Sequence, residues 1–160
     1  MGTFDSLSVS PYFTLFLLSM ATRSRIALQL TEDSFLSVYH HWDGYPQWLG
    51  VTLRQKFNTR EKVAELLDGG DISCIESDTN WNREKVENHV QYYNARGENT
   101  EPQLHLSIDD YFDAGEEFAY VYTLDHEWEC FQLTHSYDDN WNRTQTNAVS
   151  VDIPLAIVTG

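Results

Sequence analysis

The chain has 160 residues, 41% hydrophobic and 14% aromatic, a composition typical of one folded domain rather than a disordered polymer. Its formal net charge is −15, and from Glu101 onward it has twelve acids and a single arginine. A field of that sign repels nucleic-acid phosphates and anionic membranes, so we expect neither as a direct partner. The negative charge favours solubility. It also suits a basic protein partner, and an acidic surface of this kind could bind a DNA-binding protein by imitating DNA.

The first nineteen residues differ from the rest of the chain. They contain an apolar run at 11–18 that is too short to span a bilayer, and no basic residue precedes it as a secretory signal requires. Met20 and the residues after it read like the beginning of a protein. We therefore expect residues 1–19 to be an N-terminal extension, disordered or docked as an arm and dispensable for folding, and residues 20–160 to form a single domain.

Alternating apolar and polar residues predict a β-hairpin at the start of that domain. The two strands cover 25–30 and 35–42, and the turn between them lies at 31–34. The residues Gly44-Tyr45-Pro46 end the second strand, and Pro46 suits the first turn of a following helix.

Three helices are predicted from apolar spacing and capping residues. The first covers 47–57, and the second begins after Asn58-Thr59 and ends at Gly69-Gly70. The third begins near Ser107, has acids in its first turn and stops at Gly115.

Further strands are predicted in the remainder of the chain. A short extended piece is expected at 71–75, a strand end at 92–93, and a second hairpin from 118–124 and 128–133. A last strand is expected over 149–158, where Pro154 would confine it to an edge or a bulge. Together these elements predict an α+β fold, with one antiparallel sheet of hairpins and helices packed on one face.

The stretch 38–48 is the predicted functional centre, because it holds four aromatics, two histidines and an acid. Aromatic side chains along the chain, together with a few arginines (Arg23, Arg25 and Arg96), could stack against and clamp a nucleotide, in a pocket built from Tyr39, His41, Trp42, Tyr45 and Arg25. The alternative is that most of these aromatics fill the core, and Trp42 in particular is expected to seal the corner between hairpin and helix. The predicted ligand- or partner-binding residues are Arg25, Tyr39, His41, Trp42, Asp43, Tyr45 and Trp48.

His40 and His41 are candidates for metal binding or acid–base chemistry. Adjacent strand residues point to opposite faces, so the two cannot share one metal unless the backbone is redirected. We expect one histidine in the core and the other at the rim of the site, and the pattern leaves open which of the two faces the site. No nucleophile motif accompanies them, so no catalytic residue, metal or cofactor is predicted.

Two further patterns point to structure rather than chemistry. The motif Asp78–Arg83 recurs as Asp138–Arg143 and opens like a calcium loop, but it lacks the required glycine and the final glutamate. We interpret both copies as Asx-turns capped by a packed tryptophan. Cys74 and Cys130 are too few for a disulfide framework, so both are expected to be buried, reduced thiols, as in a cytosolic protein.

Three segments of residues 22–67 resemble a known family. They are TRSRI at 22–26, SVYHHWDGYP at 37–46 and NTREK at 58–62, and 93–98 and 118–128 are loosely similar as well. The family consists of small uncharacterised proteins encoded by tailed bacteriophages, cyanophages among them, and it usually begins near the residue matching Met20. It has no established reaction, so the resemblance implies only phage origin and action in the cytoplasm of a host bacterium.

Three functions follow as hypotheses. The first is a non-enzymatic phage accessory protein that binds and inhibits a basic or nucleic-acid-binding host protein, or a component of host defence. The second is sequestration of a small nucleotide-like ligand in an aromatic pocket. The third is a metal-dependent enzyme that uses His40 and His41.

Overall fold

The computed structural model describes residues 22–76 and 89–155. The predicted extension at 1–19 and the first copy of the Asx-turn motif at 78–83 lie outside these residues. Eight strands in one sheet and three α-helices form within them, which confirms the α+β class.

The strands are β1 Ser24–Gln29, β2 Phe35–His40, β3 Ile72–Glu76, β4 His89–Tyr92, β5 Gln103–His105, β6 Phe118–Tyr122, β7 Trp128–Tyr137 and β8 Arg143–Val151. The helices are α1 Val51–Lys56, α2 Arg60–Asp68 and α3 Ile108–Ala114. A π-helical turn at Pro46–Gly50 leads into α1, and a 3₁₀ turn at Tyr93–Arg96 follows β4. Thr59 and Ser107 cap α2 and α3 as predicted, by accepting hydrogen bonds from the amides of Lys62 and Asp110.

The strand order is β4-β3-β2-β1-β6-β7-β8, and β5 also pairs with β2. Both predicted hairpins, β1–β2 and β6–β7, are antiparallel as expected. However, β1 pairs with β6 and β2 with β3 in parallel, so the sheet is mixed rather than antiparallel throughout. Hairpins are local pairings that a sequence pattern can predict, whereas parallel pairs join strands far apart in the chain.

The two faces of the sheet carry separate cores. On the first face, Ile26, Val38 and Tyr120 pack with apolar residues of α1 and α2. On the second face, Phe35, Ala119 and Leu133 are among the residues that pack with Tyr111 of α3. The helices therefore cover both faces instead of the single face that was expected. Because α3 is one short helix, the second face continues beyond it toward β3 and β4.

The adjacent histidines separate as predicted. His40 is 1% exposed on the first face, and its Nδ1 lies 3.2 Å from the Ser24 hydroxyl. Burial lowers the pKa of His40 to about 3, so this side chain is neutral at neutral pH. His41 is only partly buried and points to the second face.

The end of the chain departs from prediction at β8. The strand covers Arg143–Val151 because β7 runs on to Tyr137 and offers a partner along its whole length. Of the predicted strand 149–158, residues 152–155 are not in a strand and 156–158 lie outside the described residues. Asp138 forms the predicted Asx-turn by accepting from the amides of Asn140 at 2.8 Å and Asn142 at 2.9 Å. The expectation of a packed tryptophan is wrong, since Trp141 is 82% exposed.

The two cysteines are not joined by a disulfide; Cys130 is buried as expected, whereas Cys74 is only partly buried. In residues 22–76 and 89–155, no helix has both the length and the apolar character that crossing a membrane requires.

Neutral His40 should make folding sensitive to acid. In the unfolded chain the histidine binds a proton near pH 6.5, whereas buried His40 does so only at about pH 3. The contribution of His40 to the free energy of unfolding is therefore fully present above pH 6.5 and decreases as the pH falls from 6.5 toward 3. The expected loss approaches about 1.4 kcal/mol per pH unit. Urea unfolding of His40→Gln at several pH values should show a shallower decline than wild type. His126→Asn, a change at an exposed histidine, should keep the wild-type slope; equal slopes in all three proteins would contradict the prediction.

Candidate functional site

The second face carries a polar and aromatic surface beside α3. Arg25 and Tyr39 are directly paired across β1 and β2. Arg23 immediately precedes β1 and His41 immediately follows β2, and the two lie close to Tyr39, since Tyr39 is hydrogen-bonded to His41 and Arg23 acts on the charge of both side chains. The Arg23 guanidinium lowers the pKa of His41, and Tyr93 is close enough to act on the phenol of Tyr39. We call this surface the arginine–aromatic face; its members are Arg23, Arg25, Tyr39, His41, Tyr93 and Arg96.

A short hydrogen bond joins Tyr39 to His41. The Tyr39 hydroxyl lies 2.6 Å from His41 Nδ1. Burial raises the pKa of Tyr39 to about 12, while burial and Arg23 lower the pKa of His41. The phenol is therefore protonated and donates, and the neutral imidazole accepts at Nδ1. The remaining ring proton is then on Nε2, so His41 offers a neutral N–H donor at the rim of the face.

Arg96 occupies the β4 end of the face. Its Nη2 donates to Ser73 Oγ at 3.4 Å and to Gln91 Oε1 at 3.3 Å. Its guanidinium lies 5.5 Å from the centre of the Tyr93 ring, a cation–π distance. Ser73 lies at a register shift between β3 and β4, and such a bulge changes the direction in which side chains point. Arg96 is thus held by neutral oxygens rather than by a carboxylate within the described residues.

Arg25 is held by a hydrogen-bonded chain that reaches α3. Arg25 Nε donates to Ser37 Oγ at 3.0 Å, and that hydroxyl lies 2.7 Å from His105 Nε2. His105 Nδ1 lies 3.1 Å from Asp110 Oδ2. The order serine, histidine, aspartate resembles that of a hydrolytic triad, but Ser37 and His105 are both 0% exposed. Since no substrate can reach the Ser37 hydroxyl, the chain orients Arg25 rather than performing nucleophilic catalysis.

Asp71 joins the strands that carry the face. Its carboxylate accepts the Tyr39 amide at 3.0 Å, and its carbonyl accepts the Tyr93 amide at 3.1 Å. Its own amide donates to Thr100 Oγ1 at 3.0 Å. Asn94 also donates to Gly69 and Thr100 carbonyls, both at 2.9 Å. These bonds fix the turn that holds Tyr93 and Arg96 against the β2 residues.

Only part of the predicted site comes together on this face. Arg25, Tyr39 and His41 belong to it, and Trp42 meets the His41 ring edge-on at 4.6 Å. Tyr45 instead lies 6.2 Å from Phe118, which packs against the first core.

Asp43 and Trp48 lie apart from the face as well. Asp43 sits in the turn after β2 with a left-handed φ of 56°, and Trp48 is 43% exposed in the π-helical turn. The tight turn after β2 therefore directs the second half of the stretch away from the first.

The expected role of Trp42 in the core is not observed. Trp42 is partly buried and belongs to neither core cluster. The corner where the hairpin meets the helical segment is instead closed by Tyr120, whose hydroxyl donates to the Gly44 carbonyl at 2.7 Å. Trp42 is thus available at the rim of the arginine–aromatic face.

Sequence reasoning missed the polar residues that support the face. Ser73 and Gln91 are 1% and 9% exposed, and Gln103 accepts from Arg25 at 3.3 Å. One sequence signal was present, because Gln91 is a polar residue between two apolar ones in a strand. Its role could be assigned only from the tertiary structure, which places Arg96 beside it.

The metal hypothesis finds no support in the placement of the two histidines. His40 is in the first core and His41 is on the opposite face, so they cannot share one ion. Among residues 22–76 and 89–155, no group of three or more His, Cys, Asp or Glu side chains is arranged to hold a metal.

Comparison of the chain with protein-family models, with curated proteins and with solved structures returns no match. Functional inference therefore depends on the geometry of the arginine–aromatic face.

The Asp71 turn can be probed through two glycines with left-handed φ angles, Gly70 at +86° and Gly97 at +94°. A Cβ on Gly70 would lie 2.6 Å from Asn94 Nδ2, whereas one on Gly97 would have no atom within 4 Å. Gly97→Ala should cost about 1 kcal/mol of backbone strain. Gly70→Ala should cost at least about 1 kcal/mol more, because Asn94 must move. Chemical denaturation of both variants measures the difference, and equal costs would exclude a tightly packed turn.

The position of Trp42 gives a second prediction. Trp42→Ala should cost less than about 2 kcal/mol, below the roughly 3–5 kcal/mol typical of a buried tryptophan. Leu53→Ala, at a core residue that is 0% exposed, should cost about 2–5 kcal/mol and serves as the comparison. Urea unfolding decides between them; a larger loss for Trp42→Ala would assign Trp42 to the core.

Proposed function

We propose that this protein acts by non-covalent binding, and that the arginine–aromatic face takes an anionic, ring-bearing ligand such as a nucleotide. The observation that carries the proposal is the gathering of three arginines on one face of a chain with a net charge of −15. Burial of the serine in the triad-like chain argues against hydrolysis, and the family that the sequence resembles has no established reaction. Sequestration of a small ligand requires only recognition.

The arginines of the face differ from other arginines in how they are used. Arg54 and Arg60 donate to backbone carbonyls, which ties them to the structure of the chain. Within residues 22–76 and 89–155, the side-chain donations of Arg25 and Arg96 go to neutral side-chain oxygens, and the Arg23 side chain is 46% exposed beside Glu116. Guanidinium groups that are not paired with a buried carboxylate are suited to bind a phosphate or carboxylate group of a ligand.

The aromatic members supply the second half of the recognition. Tyr39 and Tyr93 lie beside Arg23 and Arg96, Trp42 meets His41 edge-on, and these rings provide surfaces on which a planar base could stack. His41 adds a neutral N–H donor, which can bond a ligand acceptor at neutral pH without adding charge. Phosphate attraction and ring stacking together describe a mononucleotide better than either a simple anion or an apolar molecule.

A binding experiment tests this proposal. Titration of adenosine and guanosine monophosphates by calorimetry should show binding to the wild-type chain. Loss of one charged contact is worth about 1.5–3 kcal/mol, so Arg25→Ala and Arg96→Ala should each weaken binding roughly tenfold or more. Lys62→Ala removes an exposed charge from α2 and should bind like wild type. Absence of wild-type binding, or equal binding by all four proteins, would refute the proposal.

A basic host protein is the second candidate partner, favoured by the position of the acids. Asp109, Asp110 and Asp113 are all exposed on α3, and Asp125 and Glu127 are exposed in the turn between β6 and β7. This acidic surface could engage a nucleic-acid-binding protein in the cytoplasm of a host bacterium, as suits a phage accessory or anti-defence protein.

Retention of one lysate protein that is released by salt would support this candidate, because an acidic interface weakens as ions screen it. Asp125→Asn with Glu127→Gln should reduce that retention. If retention is unchanged both by salt and by these two substitutions, the proposal of a basic host protein partner is refuted.

A further inference from the structure

Gln91 is a buried polar side chain with an unmet hydrogen bond. It is 9% exposed, and its Oε1 accepts from Arg96 at 3.3 Å. Its Nε2 is buried and has no hydrogen-bond partner. Buried amide groups are nearly always paired, so an unpaired one needs an explanation.

The direction of the free amide follows from its neighbours. Tyr92 packs against the first core and donates to the Leu66 carbonyl at 2.7 Å, so Gln91 and Tyr93 point to the second face. The bond from Arg96 fixes which end of the Gln91 amide is the oxygen, since an arginine can only donate. The NH₂ group is therefore the unpaired end, beside Arg96 on the arginine–aromatic face.

Only donors remain unsatisfied at this point. Arg96 uses Nη2 for Ser73 and Gln91, and its exposed guanidinium has further N–H groups that can bind a ligand. The Tyr93 ring beneath it holds the guanidinium plane in position. A ligand group that fits must supply acceptor oxygens, and the charge of Arg96 favours a negative one.

We propose that the exposed guanidinium of Arg96 forms a seat for an anionic oxygen group, phosphoryl or carboxylate, and that the buried Gln91 Nε2 becomes a second donor to this group when the group enters and displaces the cover over the amide. The inference rests on the proposed function, because it names the part of the ligand that the β4 end of the face takes. It assigns Gln91 as a specificity-determining residue: ligands that lack the anionic group lose this seat, and cationic ligands are rejected.

Nuclear magnetic resonance of the ¹⁵N-labelled full chain tests the seat directly. The Gln91 side-chain NH₂ signals are assigned by their loss in Gln91→Leu. Inorganic phosphate and acetate are titrated separately, which distinguishes phosphoryl from carboxylate as the preferred group, and adenosine serves as the ligand without an anion. Saturable shifts of the Gln91 NH₂ and Arg96 Nε–H signals with an anion, and none with adenosine, are expected. Unchanged Gln91 signals with both anions would overturn the inference.

The affinity of two variants for adenosine monophosphate distinguishes the anion seat from the broader proposal that the arginine–aromatic face binds a nucleotide. Gln91→Glu turns the donor into a carboxylate that pairs with Arg96, so binding of adenosine monophosphate should weaken about tenfold or more. Gln132→Glu makes the same charge change at an exposed residue of β7 and should bind like wild type. If wild type and Gln91→Glu bind equally, the seat is refuted while the face proposal stands. If wild type binds no nucleotide and its Gln91 signals ignore both anions, both are refuted.

Discussion

The hydrogen bond from the Tyr39 amide to the Asp71 carboxylate is the contact on which the site depends. The outer edge of β2 is shared by two strands, β5 along Phe35–Ser37 and β3 from His40 onward. Between them the Tyr39 amide would lack a strand partner, and an unpaired backbone donor is costly. Asp71 supplies the acceptor from the start of β3 and also binds the turn after β4. A single residue thus closes a gap in the sheet and brings Tyr93 and Arg96 beside Tyr39.

Charge is separated within this acidic molecule. Exposed acids occupy α3 and the turn after β6, while three arginines collect where the second face is not covered by α3. Within the described part of the chain, Arg23 is the one of the three with an acidic ion-pair partner, at 3.3 Å from Glu116. A guanidinium without such a partner costs little where water reaches it, and it adds positive potential against a negative background. This is the arrangement that the proposed binding of an anion requires.

Burial determines what the titratable groups can do. His40, His41 and His105 all have pKa values lowered by burial, so each acts as a neutral hydrogen-bonding group rather than a cation. The Ser37–His105–Asp110 chain has the connectivity of a triad and the opposite exposure, with the serine enclosed and the acid at the surface. The same three residue types therefore hold an arginine in position. A triad-like arrangement whose serine is closed to substrate supports a structural role for these residues.

The sequence alone determined the local elements of this protein. Alternation in Ile26–Leu30 and Phe35–Trp42 predicted the first hairpin, and Thr59 and Ser107 marked the helix starts, because these signals act between residues close in the chain. It also named Arg25, Tyr39 and His41 among the site residues and separated His40 from His41 by the period of two. The tertiary structure alone decided the parallel pairs, the placement of α3 on the second face, the partial burial of Trp42 and the exposure of Trp141. It also brought Gln91 and Arg96 beside Tyr39, since contacts between distant segments depend on packing that no local pattern contains.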